Sequence, residues 1–182
     1  MNIIQNKILF IILIILICSI SIHKYFNYKS SINDAIDGMN KSVRIKYLEQ
    51  NSVNIYQTNK DNSIRERYYF FFKPNDCSSC ISQMDDILLK LIKKKKDIYL
   101  IISYPNKKEV IDYITSYYKK QILKNINVKY ISELDLAKSN ITFTPSLKIV
   151  DKKGNHLFGY MFGIDRKYLK VLCKRVGVLY DL

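Results

Sequence analysis

The sequence is short of several things at once, and each shortage closes a class of explanation. Four cysteines in 182 residues are too few for a disulfide-stapled scaffold and too few for a self-contained four-cysteine zinc site. The two histidines offer little: His23 flanks an apolar run and His156 opens a strand, and a lone histidine is seldom catalytic without partners. A zinc ion on one cysteine pair would need two more ligands, with only Cys173, His23 and His156 to draw on, so no metal and no cofactor is expected. Glycine is scarce, at 5 residues against 15 tyrosines, which reads as compositional bias rather than a binding surface. Acidic residues are scarce too: 16 Asp+Glu against 30 Lys+Arg leave a net charge of +14. Such an excess attracts nucleic acid or anionic membrane surfaces. Here it is spread along the chain, and the one dense cluster, Lys93 to Lys96, falls where a helix should end and its dipole welcomes cations. That cluster is read as a solvated helix end, and no nucleic-acid partner is expected.

What is present begins with one long apolar run. From Ile8 to Ile22 no charge interrupts a series made mostly of Ile and Leu. Fifteen residues is short for a spanning helix and long for a signal-peptide core. Tyr25, Phe26 and Tyr28 extend it as an interfacial aromatic belt. Three outcomes stay open, in this order: a retained signal anchor, a cleaved signal peptide with Ser19 and Ser21 near the cut, and a lipidated Cys18. Lys7 is balanced by Lys24 and Lys29, so the charges beside the run do not set its orientation. The chain divides into an anchor or signal segment (1–26), a helical linker with a short strand (27–66) and one folded domain (67–182).

In the linker, Ile32, Ile36, Met39, Val43 and Tyr47 recur at helical spacing and predict one amphipathic helix. Val53 to Gln57 suits a short strand, and Asn59 to Ser63 a turn. Beyond Arg67 the signals become regular. Tyr68 to Phe72 is an aromatic strand; Ile81, Met84, Ile87, Leu88 and Leu91 share a helical face; Ile98 to Ser103 is a buried parallel strand. Val110, Ile114, Tyr117, Tyr118 and Ile122 predict the next helix, Val128 to Ile131 a strand, and Ser132 with Asp135 caps a brief helix. Ser146–Val150 and His156–Met161 form a hairpin about Lys152–Asn155. Asp165 opens a last helix, with Tyr168, Leu169, Leu172, Cys173 and Val176 on one face and Gly177 at its end. The order β-α-β-α-β-α-β-β-α predicts a sheet with parallel strands first, a late antiparallel hairpin and helices on both faces.

Chemistry concentrates at Cys77-Ser78-Ser79-Cys80. A redox dithiol needs one thiol exposed and ionised and a second close enough to resolve a mixed disulfide. A helix start supplies both, because its unpaired N–H groups favour a thiolate and position four lies one turn on. Here a strand ends at Phe72, Lys73 to Asp76 forms a loop, and a helix begins near Cys77. Asp76 is expected to raise the Cys77 pKa, with Lys73 opposing it.

With these residues in place the sequence resembles the thioredoxin superfamily, and more narrowly its membrane-anchored members in the cytochrome-maturation and peroxiredoxin-like branch. The resemblance rests on Phe72-Lys73-Pro74-Asn75-Asp76-Cys77-Ser78-Ser79-Cys80, on Thr144 to Gly154, and on Gly163, and it covers roughly Tyr68 to Gly177. It implies a thioredoxin-like three-layer α/β/α sandwich with a mixed sheet, preceded by an N-terminal membrane helix. It implies Cys77 and Cys80 as the catalytic pair, Pro145 as a cis-proline and Thr144 as a substrate-backbone contact. It implies protein thiols or disulfides as substrates and a redox partner protein of unknown identity. Because a C-x-x-C domain on a tether suits a redox compartment outside the cytosol, the chain is expected to be single-pass, tethered through residues 8–22, with its domain on the extracytoplasmic, periplasmic side. An extra strand and helix at 107–131 lengthen the stretch before Pro145. Asp76 replaces the aromatic residue usual before the first cysteine, and the strand before the motif lacks the buried carboxylate of thioredoxin. The alternative function is a non-catalytic, membrane-tethered binding module in which Cys77–Cys80 is a structural disulfide.

Overall fold

A computed structural model describes residues 3–40, 42–58, 66–164 and 166–178. The chain divides into two compact units, Met1–Asp37 and Gly38–Leu182.

The first unit is helical, within α1 (Ile3–Asn40). Its described apolar side chains from Ile12 to Ile22 are 45–61% exposed. Among the described residues no helix is long and apolar enough to cross a membrane; the side chains of 3–11, where the apolar run begins, lie outside that description.

The second unit opens with a departure from the expected single helix. α1 ends at Asn40 and α2 (Ile45–Asn51) starts afresh. The break is held from outside: Arg44 donates its N–H to the Ser139 carbonyl at 3.0 Å, and Asn140 Nδ2 donates to the Ser42 carbonyl at 3.1 Å. Val43, Ile45 and Leu48 are thereby buried in the domain, so the segment before residue 67 contributes to its core. Ile32, Ile36 and Met39 carry side chains outside the described residues, as does the turn expected at 59–63.

Six strands form one mixed sheet in the order β1-β4-β3-β2-β5-β6. β2 (Glu66–Phe72), β3 (Asp97–Ser103) and β4 (Asn127–Ile131) run parallel. β1 (Val53–Tyr56) is antiparallel on β4, and the hairpin of β5 (Ser146–Asp151) and β6 (His156–Met161) is antiparallel on β2. β2 is central and apolar on both sides because both sides are covered. Tyr68, Phe70 and Phe72 face α3 (Ser78–Lys93), α4 (Lys107–Tyr117) and α7 (Arg166–Val176), while Tyr69 and Phe71 join Leu48 of α2 and Leu136 of α6 (Glu133–Lys138). The result is three layers, helix on sheet on helix. Coverage of both faces also buries Lys148 of β5 to 3% exposure, and burial pushes its ammonium down to about 8.

The helix expected from Val110 to Ile122 is likewise two. Tyr118 turns extended at φ −99°, ψ 129°, and α5 (Lys120–Leu123) follows. The cause is polar: Tyr117 and Tyr118 each donate a phenolic O–H to one oxygen of Asp85 on α3, both at 2.7 Å, which pulls Tyr118 inward.

Parallel β2, β3 and β4 share a carboxyl end, where the chain leaves Phe72, Ser103 and Ile131. Ser146 opposite Phe71 and Met161 opposite Ser146 place the start of β5 and the end of β6 there too. In open α/β sheets this is where ligands meet the protein.

Candidate functional site

Four loops converge at that end: Lys73–Cys77 after β2, the start of α6 after β4, Thr144–Pro145 before β5, and Phe162–Gly163 after β6. Their mutual hydrogen bonds place the thiols.

The first loop closes on itself. Asp76 donates its N–H to the Lys73 carbonyl at 3.0 Å, and its carboxylate accepts the Lys73 N–H at 2.7 Å. The other carboxylate oxygen accepts the Thr144 hydroxyl at 2.8 Å, so Asp76 ties the cysteine loop to the proline turn. Lys73 Nζ pairs with Glu133 at 2.8 Å, tying the loop to α6. The Thr144–Pro145 peptide bond is cis, as the family resemblance implies for this turn. The Pro145 carbonyl accepts the Phe162 N–H at 2.9 Å, which locks the turn to the chain leaving β6.

Cys77 is the N-cap of α3, extended at φ −51°, ψ 123°, and exposed. Its carbonyl accepts the N–H groups of Cys80 and Ile81, each at 3.0 Å. Its sulfur lies 3.0 Å from Ser79 Oγ. Hydrogen bonding from Cys80 and then from Ser79 lowers the Cys77 thiol to about 7. One turn on, Cys80 is partly buried, and burial first, then hydrogen bonding to Cys77, pushes its thiol up to about 11. The pair is thus split into one thiol that ionises near neutrality and one that keeps its proton. All four cysteines are free.

Asp76 directs its side chain to the Lys73 N–H and the Thr144 hydroxyl, and its charge raises the Cys80 pKa, while hydrogen bonding sets the net direction at Cys77, which is downward. Burial raises the pKa of Asp76 itself, against hydrogen bonds from Lys73 and Thr144. Lys73 pairs with Glu133 through its ammonium and acts on Asp76 through both its N–H and its charge, which lower the Asp76 pKa against burial.

Gly163 closes the site. Its φ is +86°, and a Cβ built there would lie 2.5 Å from Cys80 Sγ. Only glycine fits both the backbone and the space. Its N–H donates to Gln83 Oε1 on α3 at 3.1 Å.

The structure therefore brings together all four residues singled out from the sequence, Cys77, Cys80, Thr144 and Pro145. Sequence reasoning missed Asp76 as a strut and the Asp85–Tyr117–Tyr118 clasp on the cysteine-bearing helix. The clasp left one sign, the adjacent tyrosines that end α4. Beside it, Tyr113 stacks on Tyr117 with centroids 5.3 Å apart and leans on Phe72 at 6.0 Å. Among the described residues no group of His, Cys, Asp and Glu could hold a metal ion.

No protein-family model matches the chain, and no curated protein sequence does. Solved structures with a similar backbone include an exposed lipoprotein thioredoxin of Streptococcus pneumoniae, 15% identical, with TM-score 0.46 over 61% of this chain and 84% of that one. A thioredoxin-like protein of Porphyromonas gingivalis is 22% identical, with TM-score 0.44 over 69% and 86%. A thio-disulfide isomerase of Thermus thermophilus is 15% identical, with TM-score 0.44 over 63% and 80%. These are distant likenesses.

Proposed function

We propose that this chain is a thioredoxin-like thiol–disulfide oxidoreductase acting on protein disulfides through Cys77 and Cys80. One observation carries the reading: an exposed helix-cap thiol lowered to about 7 sits one turn from a partly buried thiol raised to about 11. The Cys77 thiolate attacks one sulfur of a substrate disulfide, forming a mixed disulfide and expelling the other sulfur as a thiolate. Cys80 then gives up its proton and attacks the Cys77 sulfur. The second substrate thiol leaves, and two electrons have passed from the dithiol to the substrate. Run backwards, the same steps oxidise a substrate dithiol; a partner protein resets the pair. Thr144 and the cis Pro145, fastened beside Cys77 through Asp76, are the edge along which an extended substrate would lie.

Residues 8–22 act as the tether, single-pass, with the domain on the extracytoplasmic side, where dithiol exchange has oxidisable partners. The tether is supported by the apolar surface from Ile12 to Ile22, since a helix apolar all round needs an apolar surrounding.

The test is substitution. Cys77→Ser should abolish reduction of an insulin or model-peptide disulfide, and Cys80→Ser should accumulate mixed disulfides. Retained activity in Cys77→Ser with loss in Cys80→Ser would reverse the roles; no exchange activity in the parent chain would leave the binding-module reading standing. Carbonate extraction that frees the full-length chain would remove the tether.

A further inference from the structure

The amino end of the sheet, opposite the cysteines, takes no part in the thiol chemistry. The topology nonetheless gathers there a charge that the sequence scatters. The chain passes this end in the turn after α3, in the β5–β6 hairpin and at the close of α7. Lys93 and Lys95 are exposed in the first of these, and Lys174 in the last. Lys94 Nζ donates to the Gly177 carbonyl, which sets the ends of α3 and α7 side by side and joins these cations into one surface. A Cβ on Gly154 of the hairpin would lie 3.5 Å from Ile45 Cβ, so the start of α2 is here as well. The open groove between them is lined by Arg44, Lys46, Arg67, Lys152 and Lys153 together with Glu49.

Among the described residues, the carboxylates at this end are paired within the domain. Glu49 and Asp97 meet Arg67 at 3.3 and 4.0 Å. Glu66 takes Arg175 and the Tyr68 hydroxyl, and Asp151 accepts both nitrogens of Asn155. Among the described residues the outward-facing side chains at this end are mostly cationic, with Glu49 the exposed carboxylate among them.

We infer that this basic end docks on an anionic phospholipid bilayer and holds Cys77 away from it. The inference rests on the proposed tether at residues 8–22. Two observations favour lipid over nucleic acid. The chain enters the domain at this end, through Ser42 to Arg44, directly after the helix that carries the apolar run. And α3, with its 16 residues, separates the basic turn from Cys77 by about 24 Å along its axis, so docking leaves the dithiol open to soluble proteins. Headgroup charge acts within about 8 Å at physiological salt, a distance that surface lysines reach.

The test is amine-reactive footprinting of the full-length chain in nanodiscs of phosphatidylcholine, with and without phosphatidylglycerol. Labelling of Lys93, Lys95, Lys152 and Lys174 should slow about threefold or more in the anionic discs and recover in high salt. Lys107 and Lys108, at the carboxyl end, should label alike in both. A chain with Lys93, Lys95, Lys152 and Lys153 changed to Gln should lose the protection at Lys174. Equal labelling in the two discs overturns docking while leaving the tether standing. Protection in phosphatidylcholine discs only on adding RNA or inorganic phosphate also overturns it. A chain that elutes apart from discs of both compositions removes the tether and the docking together.

Discussion

The two ends of this one sheet are built on opposite principles. At the carboxyl end a few short contacts among half-buried groups decide everything: Asp76 on Thr144, Pro145 on Phe162, Gly163 against Cys80. At the amino end many long cationic side chains reach water, and the ion pairs are solvated, as with Arg175 and Glu66 at 36% and 25% side-chain exposure. Chemistry needs groups held within a fraction of an ångström, whereas attraction to a surface needs only sign and proximity. Substitutions should therefore have steep and specific effects at one end, and shallow, salt-sensitive ones at the other.

The largest expected difference is within the carboxyl end itself. With Cys77 at about 7 and Cys80 at about 11, near pH 7 half of Cys77 is thiolate and almost none of Cys80. Counting the weaker intrinsic nucleophilicity of the more acidic thiol, Cys77 should alkylate about a hundredfold faster. Iodoacetamide labelling read by peptide mass across pH 5 to 9 should give a half-maximal rate for Cys77 near neutrality. Equal rates for the two thiols would erase the contrast. The same split has opposite consequences for the stability of the reduced protein. Cys77, lowered in the fold, contributes stability that is present above the unfolded pKa near 9 and lost as pH falls through about 7. Cys80, raised in the fold, contributes stability that is lost as pH rises from about 9 through about 11.

Next in size is Gly163→Ala. The φ of +86° and a Cβ 2.5 Å from Cys80 Sγ add backbone strain to overpacking, and the cost should be about 2–4 kcal/mol. Urea unfolding measures it, and resolution by Cys80 should slow as well. A cost under about 0.5 kcal/mol, the level of an ordinary surface change, would mean that the loop moves freely and does not define the site.

How much of this was legible in the sequence follows the same division. The strands and the cysteine-bearing helix were readable because their apolar residues repeat at the period of the element: Tyr68–Phe72 and Ile98–Ser103 as doubly covered strands, Ile81 to Leu91 as one helical face. The cysteines were readable because their spacing is itself the chemistry, and Thr144-Pro145 only through the resemblance to the thioredoxin superfamily. What failed to show were places where a distant polar group overrides local pattern. Val43 and Tyr47 kept helical spacing with Met39, yet bonds from Asn140 and to Ser139 interrupt the helix. Tyr118 kept spacing with Ile114, yet Asp85 turns it inward. Lys148 alternates with Leu147 and Ile149 as a solvent-facing residue would, yet a second layer of helices buries it. Asp76 invited a local electrostatic reading, but its partner stands 68 residues away. The basic end was invisible for the same reason, since only the sheet order brings Lys93, Lys152 and Lys174 to one place.

A smaller effect should follow from Thr144→Val, which keeps shape and removes the hydroxyl that donates to Asp76 at 2.8 Å. Burial already raises the Asp76 pKa, and loss of a donor raises it further, so the charged carboxylate becomes costlier to keep. The expected loss is about 1–2 kcal/mol at pH 7, a hydrogen bond to a charged acceptor. It should shrink in acid, where Asp76 is protonated and no longer depends on that donor. A loss that does not change with pH would show that Asp76 is not what the hydroxyl supports.

The smallest effect belongs to the amino end. Arg175→Ala removes a 2.7 Å pair with Glu66, as short as any bond at the cysteine loop, and still should cost only about 0.5 kcal/mol, because a solvated pair exchanges one set of charge contacts for water. Burial acts to raise the Glu66 pKa, but hydrogen bonds from Arg175 and Tyr68 outweigh it and hold the carboxyl below its usual value. Its contribution is therefore present above the unfolded pKa near 4.5 and lost as pH falls through the folded one. Urea midpoints of the variant and parent should converge in acid, and should also converge at neutral pH in about 1 M salt, where the screening length is about 3 Å. Short distance alone would rank this pair with Asp76–Thr144; exposure ranks it far below. A cost for Arg175→Ala matching that of Thr144→Val, unchanged by salt, would mean that the amino end is as tightly built as the carboxyl end and that its cations are structural rather than outward-facing.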